Sequence, residues 1–172
     1  MKKEQILNDI IAKKGYKSIL ELTSGPSILD KINCEIKDTI FVRGESSDYF
    51  FYKNEKKYDL IFIDGEHTSK QCEKDIMNAL KAITKGGVIV MHDINPETIE
   101  QQEVPKKSKI WTGDVWRCFV GYPGNKKAFL DDYGIGLLYW TDKIKLGFSS
   151  DMRAEQFMAN KEKYLLGEKT KP

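Results

Sequence analysis

The stretch YDLIFIDGEHT, residues 58–68, sets an apolar run directly before a group of charged and ionisable side chains. The apolar residues are typical of a strand that is buried on both faces of a parallel sheet. Burying an unpartnered charge is costly, so Asp64, Glu66 and His67 are expected just past the strand, at the rim of the sheet. Ligands bind at that rim in open parallel sheets, and the stretch is therefore the first candidate for a functional site.

Strands and helices alternate along the chain on both sides of this stretch. Four apolar strands are predicted, at 17–22, 38–44, 58–64 and 88–91. An amphipathic helix is predicted at 69–84, and Gly86-Gly87 is expected to end it. Two further strands within 127–140 lie too close together for a helical crossover and should pair antiparallel. The prediction is an α/β three-layer sandwich with a mostly parallel, doubly wound sheet of about six strands and an antiparallel edge hairpin.

Composition narrows the classes of function. The 172 residues suit one domain spanning 1–172, and the net charge of +2 gives no reason to expect a nucleic acid as partner. No apolar run approaches the roughly 20 residues of a membrane span, and the start of the chain lacks the apolar core of a secretory signal. Three cysteines without metal-binding spacing are interpreted as free thiols in a reducing cytoplasm. The many aromatic residues leave room for a homo-oligomeric interface.

The fourth strand also ends in ionisable residues, because VIVM at 88–91 runs directly into His92 and Asp93. Strands joined by one helix are usually neighbours, so these residues should meet Asp64, Glu66 and His67, and both histidines of the chain belong to this group. One interpretation is a Mg²⁺ site built on Asp64 and Asp93. Another is that His67 or His92 acts as a base. The structural alternative is that the aspartates cap the following helices and the histidines satisfy backbone groups.

Four motifs occur in order along the chain: IDGEH, then GGVIVMHD, then WTGDVW, then DYGIGLL. Together they resemble the class I S-adenosylmethionine-dependent methyltransferases, and more closely a bacterial subgroup often associated with surface-polysaccharide genes. The resemblance covers about residues 17–140 and is strongest from 58 onward. It implies S-adenosylmethionine as the cofactor and O-methylation of a sugar or another small hydroxyl acceptor.

The resemblance also implies roles for individual residues on the cofactor side. Glu21 and Gly25, in ILELTSGPS, match the motif at the methionine end of the cofactor. From the residues alone, this stretch is either a turn that holds a cofactor against backbone N–H groups or a plain strand-to-helix turn. Ser47 and Asp48 match the loop that commonly meets the adenine. Asp64 matches the acidic residue that ends the fourth strand of the family, and is counted with the cofactor site as well.

The resemblance places a second set of residues on the reaction side. Asp64 and Asp93 match the pair that holds a metal in the catechol-type enzymes, so they are the predicted metal ligands. His67 and His92 then flank the position of methyl transfer. These four residues are the predicted catalytic group.

The chain departs from the family pattern in its cofactor half. Gly25 is a single glycine where the family has two or three. The interval 22–58 holds only about one strand, so we expect the second family strand and its ribose-binding carboxylate to be missing. That omission predicts six strands rather than seven and weak cofactor binding. Two alternatives stay open: a decayed methyltransferase fold with a binding or structural role, and a metal-dependent hydrolase that uses the same strand-end residues.

Overall fold

The computed structural model describes residues 1–42 and 46–167. The helices are α1 (Lys3–Lys14), α2 (Ser46–Lys53), α3 (Ser69–Ala82), α4 (Trp116–Gly121), α5 (Ala154–Ala159) and α6 (Lys161–Leu166). The strands are β1 (Ser18–Thr23), β2 (Ile36–Phe41), β3 (Tyr58–Asp64), β4 (Ile83–His92), β5 (Lys126–Phe129) and β6 (Ile135–Tyr139). Two 3₁₀ turns, Leu29–Lys31 and Glu100–Gln102, lie in the connections.

All six strands belong to one sheet in the order β2-β1-β3-β4-β6-β5. The adjacent strands β2, β1, β3 and β4 are parallel to one another, and β6 pairs antiparallel with both β4 and β5. The predicted α/β fold, its six strands and its antiparallel edge hairpin are therefore confirmed. β2 pairs directly with β1 along its whole length. Residues 43–45, which follow β2 and include the end of the strand predicted at 38–44, lie outside the described residues, so the missing carboxylate stays a prediction.

The sheet is covered on both faces because its central strands are apolar on both sides. In β3, Ile61 and Ile63 pack on the side of α3 and α4, whereas Leu60 and Phe62 pack on the side of α1. These four residues are at most 4% exposed, which is the burial that the continuous apolar run predicts. The result is three layers, with the carboxyl ends of β1, β3 and β4 at one edge.

The predicted end of the long helix is wrong. α3 ends at Ala82, and β4 begins at Ile83 and runs through the Gly86-Gly87 pair. Ile83 is β-branched, buried and paired with Tyr58, so the chain enters the sheet before it reaches the glycines. A Cβ at Gly87 would lie 2.7 Å from the backbone oxygen of Asp59, so this glycine serves a close approach between strands.

Across the two described ranges, the helices are too short or too polar for any of them to span a bilayer.

Candidate functional site

Four of the predicted residues meet at the carboxyl edge of the sheet, and we call them the strand-end cluster: Asp64, His67, His92 and Asp93. His92 Nδ1 lies 3.3 Å from Asp64 Oδ1 and 3.4 Å from Asp93 Oδ1. His67 Nε2 lies 3.6 Å from Asp64 Oδ1 and 3.4 Å from Asp93 Oδ2. β3 and β4 are neighbours in the sheet, which is why their ends converge. Glu66 is exposed and does not belong to the group of converging ligand atoms.

The aspartates of the cluster do not act as helix caps. The N-cap of α3 is Thr68, whose side chain accepts a hydrogen bond from the backbone N–H of Gln71. Asp93 has a φ of +64°, a conformation that aspartate tolerates better than most residues. The chain turns sharply there, and the N–H of Asn95 donates to the backbone oxygen of Tyr133 at 2.7 Å. The hairpin motif DYG thereby holds the segment that carries Asp93.

Both ring nitrogens of His92 have polar partners. Its Nε2 donates to the backbone oxygen of Asp132 at 2.7 Å, and its Nδ1 faces the carboxylates of Asp64 and Asp93. Burial opposes a charge on this ring, but hydrogen bonds to the two carboxylates outweigh it and raise the pKa of His92 to about 10. An imidazolium with both N–H groups engaged has no lone pair to accept a proton. The geometry therefore makes His92 the cation that holds the two carboxylates together.

His67 is the more accessible histidine, with 21% of its side chain exposed. Its Nδ1 lies 2.8 Å from the backbone oxygen of Trp111, and because a carbonyl only accepts, the proton sits on Nδ1. Nε2 is then the atom that gains or loses a proton. Burial lowers the pKa of His67, but contact with Asp64, the charge of Asp93 and the Trp111 carbonyl raise it above its usual value. Nδ1 is thus fixed as a donor, and Nε2 exchanges the proton beside two carboxylates that stabilise its protonated form, an arrangement that suits a general base.

The segment WTGD positions His67 through its backbone. The N–H of Asp114 donates to the backbone oxygen of His67 at 3.3 Å, and its carboxylate accepts from Ser69 N and Oγ at 2.6 and 2.8 Å. The ring of Trp111 lies 5.4 Å from the ring of His67, tilted by 32°. The third motif, WTGDVW, thus supports His67. The sequence shows that the motif is present but does not reveal this role.

Lys3 is a member of the site that sequence reasoning missed. Its Nζ lies 2.6 Å from Asp64 Oδ2, and its backbone N–H donates to Asp132 Oδ2 at 2.8 Å. Burial raises the pKa of Asp64, but the contacts with both histidines and with Lys3 hold that pKa well below its usual range. The sequence marks Asp132 as a candidate site residue, because it lies in the DYG motif. Nothing in the segment MKKEQ singles out Lys3 in the same way.

Glu21 lies at the end of β1 but does not face the open edge of the site. It is 1% exposed, and it accepts hydrogen bonds from Ser27 Oγ at 2.5 Å, Ile28 N at 3.0 Å and Thr39 Oγ1 at 3.3 Å. Its side chain therefore closes the turn at 23–28. Gly25 lies in that turn and is exposed, with no atom within 4 Å of the position of a Cβ. The turn thus leaves the backbone at Gly25 open to a ligand.

Ser47 and Asp48 both direct their side chains to α3. Ser47 is fully buried and donates to Asp75 Oδ1 at 2.6 Å, and Asp48 accepts from Asn78 Nδ2 at 2.6 Å. These contacts hold α2 against α3. The predicted role of both residues at the adenine stays a prediction.

Asp75 provides a test of this buried network. Its Oδ2 is buried without a hydrogen-bond partner among the described residues, and burial raises the pKa of Asp75 to about 6 against the opposing hydrogen bonds of Ser47 and Gln71. A carboxyl whose pKa is raised on folding destabilises the protein as pH rises from about 4 to 6, because the folded state holds the proton more tightly. Above pH 6 this cost is about 3 kcal/mol, since one pKa unit corresponds to about 1.4 kcal/mol.

We expect Asp75→Asn to raise the free energy of unfolding at pH 8 by about 1–3 kcal/mol and to have little effect at pH 4. Urea unfolding at the two pH values measures the difference. Asp9→Asn, at an exposed carboxylate of α1, is the matched control and should change neither value. Equal effects of Asp75→Asn at both pH values would contradict the raised pKa.

A groove of about 480 Å³ lies away from the strand-end cluster, between α1 and the strands β5 and β6. Its walls include Ile10, Phe129, Leu137 and Tyr139, and none of the four cluster residues lines it. The strand-end cluster therefore lies outside this groove.

The mixed six-stranded sheet, with ionisable residues where its central strands end, defines an α/β fold of the kind that binds nucleotide-like cofactors at its carboxyl edge. Residues 4–94, more than half of the 172-residue chain, match the family model described as a methyltransferase domain. The chain belongs to this methyltransferase family. No curated protein sequence gives a significant match.

Solved structures with this fold include three that are similar to the chain at low sequence identity. An O-methyltransferase from Bacillus cereus in complex with S-adenosylhomocysteine is 13% identical, with a TM-score of 0.50 over 78% of this chain and 79% of that one. A Klebsiella pneumoniae protein assigned as an O-methyltransferase is 12% identical, with a TM-score of 0.53 over 81% and 80%. A Staphylococcus aureus protein assigned as a caffeoyl-CoA O-methyltransferase is 16% identical, with a TM-score of 0.52 over 77% and 80%. At these identities the likeness shows the fold.

Proposed function

We propose that this protein transfers the methyl group of S-adenosylmethionine to a hydroxyl of a small molecule, with the strand-end cluster at the reacting centre. The observation that carries the proposal is the convergence of Asp64, His67, His92 and Asp93 at one edge of the sheet, in a chain of the methyltransferase family. The complex of the Bacillus cereus neighbour with S-adenosylhomocysteine supports the choice of cofactor.

The cofactor is proposed to lie along the turn at 23–28. This turn is adjacent to the cluster, because the N–H of Ser24 donates to the backbone oxygen of Asp64 at 3.2 Å. Glu21 holds the turn closed, and the exposed backbone at Gly25 allows a ligand to approach. A cofactor placed here has its sulfonium end near Asp64, which is the arrangement that methyl transfer at the cluster requires.

Methyl transfer to a hydroxyl forms an O–CH₃ bond, breaks the S–CH₃ bond and releases the hydroxyl proton. His67 Nε2 is the proposed acceptor of that proton, since the Trp111 carbonyl keeps the other proton on Nδ1. Asp64 and Asp93 stabilise the imidazolium that results, and His92 keeps the two carboxylates together. Alignment of the two reactants can lower the barrier by on the order of 7–11 kcal/mol.

A divalent cation is the proposed alternative to His67 as the group that activates the acceptor hydroxyl, because an ion bound to His67 Nε2 would leave that nitrogen unable to accept a proton. Asp64, His67 and Asp93 each offer one ligand atom, and these atoms lie within 4.8 Å of one another, which fits a single ion. A bound cation would act as a Lewis acid toward the acceptor hydroxyl. The imidazole in this donor set suits Mn²⁺, Fe²⁺ or Zn²⁺ better than Mg²⁺, which prefers oxygen ligands.

The acceptor is proposed to be a carbohydrate or a related small hydroxyl compound, and the setting to be cytoplasmic polysaccharide biosynthesis. This part of the proposal rests on the motif resemblance. The cluster supports a small hydroxyl acceptor in general but does not favour a carbohydrate, because a base at the edge of the sheet can serve any small hydroxyl group.

Titration calorimetry with S-adenosylhomocysteine and a methyl-transfer assay test the proposal together. We expect calorimetry to show that S-adenosylhomocysteine binds. We expect the methyl-transfer assay to show that S-adenosylmethionine is converted to S-adenosylhomocysteine with at least one member of a panel of monosaccharides and catechols. Binding without transfer to any member would overturn the acceptor class but keep the cofactor. No heat and no thermal shift at millimolar S-adenosylhomocysteine would overturn the methyltransferase proposal and favour a decayed fold.

Gly25→Val should weaken binding of S-adenosylhomocysteine by at least about 100-fold, because a branched side chain would fill the turn where the cofactor approaches the backbone. The unfolding temperature should stay within a few degrees of the wild type, since a Cβ at this position meets no atom within 4 Å. Lys13→Met, at an exposed position of α1, is the control for calorimetry. Unchanged affinity of Gly25→Val would place the cofactor elsewhere.

A further inference from the structure

Lys3 brings a permanent positive charge into the strand-end cluster from the first turn of α1. Its Nζ lies 2.6 Å from Asp64 Oδ2, and only 21% of its side chain is exposed. The ammonium lies 6.0 Å from the centre of the Phe62 ring, which belongs to the same strand as Asp64. The backbone N–H of Lys3 donates to Asp132 Oδ2 at 2.8 Å, so the position of the residue is fixed at both its backbone and its side chain.

The two oxygens of Asp64 are divided between different partners. Oδ2 contacts Lys3, whereas Oδ1 faces His92 and His67 at 3.3 and 3.6 Å. Asp64 is also one of the three residues whose ligand atoms converge within 4.8 Å. A divalent cation bound there would share the Asp64 carboxylate with an ammonium group and would be repelled by it.

We propose that Lys3 is a positioning residue that serves as the built-in cation of the cluster: it holds Asp64 in place and opposes binding of a divalent metal ion by Asp64, His67 and Asp93. Lys3 and the metal are thus alternatives at one carboxylate. The inference concerns the charge of the site and stands whether or not the protein transfers methyl groups. Lys3 thus gives the cluster a lower affinity for metal ions than its aspartates and histidines alone would suggest.

The test measures the affinity of the full chain for Mn²⁺ by electron paramagnetic resonance and by titration calorimetry. Neither cofactor nor acceptor is present in these measurements. Lys3→Met removes the charge but keeps much of the apolar stem, and we expect it to bind Mn²⁺ at least about tenfold more tightly than the wild type. Lys3→Arg keeps the charge and should bind as weakly as the wild type. Lys13→Met removes a lysine at the other end of α1 and should also leave the affinity unchanged.

Equal Mn²⁺ affinities of Lys3→Met and the wild type would overturn the proposal, and so would equal gains for Lys3→Arg and Lys3→Met. Lys3→Gln provides a second neutral variant if Lys3→Met does not fold, and circular dichroism melting identifies that case. Calorimetry with S-adenosylhomocysteine on the same samples is read separately. A failure of cofactor binding with a gain in Mn²⁺ affinity would overturn the proposed function and leave the role of Lys3 standing.

Discussion

Replacing His67 by Gln should reduce methyl transfer by about 10²- to 10⁴-fold and leave the affinity for S-adenosylhomocysteine unchanged. The reason is that His67 Nε2 is the nitrogen that remains free to exchange a proton once the Trp111 carbonyl has fixed Nδ1. Glutamine fills a similar volume but cannot take up a proton. The rate is measured with the acceptor that the hydroxyl panel identifies, and the affinity by calorimetry.

The pH profile separates a base from a residue that only shapes the site. The pKa of His67 is raised above its usual value of 6.5, so the wild-type rate should climb as pH rises through that raised pKa. His67→Gln should lose this climb. A variant that retains the wild-type rate within about threefold, or keeps the same pH profile, would exclude His67 as the base.

His92→Gln is the matched control, because His92 is the other histidine of the chain and lies in the same cluster. This ring is buried between Asp64 and Asp93, and removing it leaves two carboxylates close together without their shared cation. We expect a loss of stability of about 3–5 kcal/mol, seen as a lower unfolding temperature. His67 is more exposed, so His67→Gln should affect the rate far more than the stability.

The sequence predicted the sheet well because the signal there is local. An apolar run such as 58–64 can be buried on both faces only in the middle of a covered sheet. The convergence of Asp64 with His92 and Asp93 follows from the same reasoning, since parallel neighbours end at the same edge. The helix end at Gly86-Gly87 was wrong because glycine is ambiguous: it ends helices, and it also permits the close strand approach seen at Gly87.

The remaining parts of the site depend on contacts that no local pattern encodes. Lys3 and Asp64 are 61 residues apart, and the lysine stands among other lysines in the sequence. Glu21 was matched to the cofactor, yet its side chain is used by the turn that it closes. Ser47 and Asp48 were matched to the adenine, yet their side chains contact α3. Motif resemblance cannot give the direction of each side chain, and the cofactor roles of Glu21, Ser47 and Asp48 stay predictions.

The glycine of the WTGD motif shows how a motif residue far along the chain supports His67. Gly113 has a φ of +63°, and a Cβ built on it would lie 1.5 Å from the backbone oxygen of His67 and 2.5 Å from the backbone carbon. Backbone atoms cannot rotate away as a side chain does, so any larger residue must displace either the segment 111–114 or the chain at His67. Gly113 is therefore required by the close approach as well as by the left-handed conformation.

Gly113→Ala should lower the free energy of unfolding by more than about 3 kcal/mol, whereas the left-handed conformation alone accounts for about 1–2 kcal/mol. Gly86→Ala separates the two effects, because Gly86 has a φ of +87° and no atom within 4 Å of its Cβ position. Urea unfolding should show the smaller loss for Gly86→Ala. Equal losses for the two variants would mean that the chain at His67 yields to the methyl group, and the motif would then hold His67 less rigidly than the contacts of Asp114 and Trp111 imply.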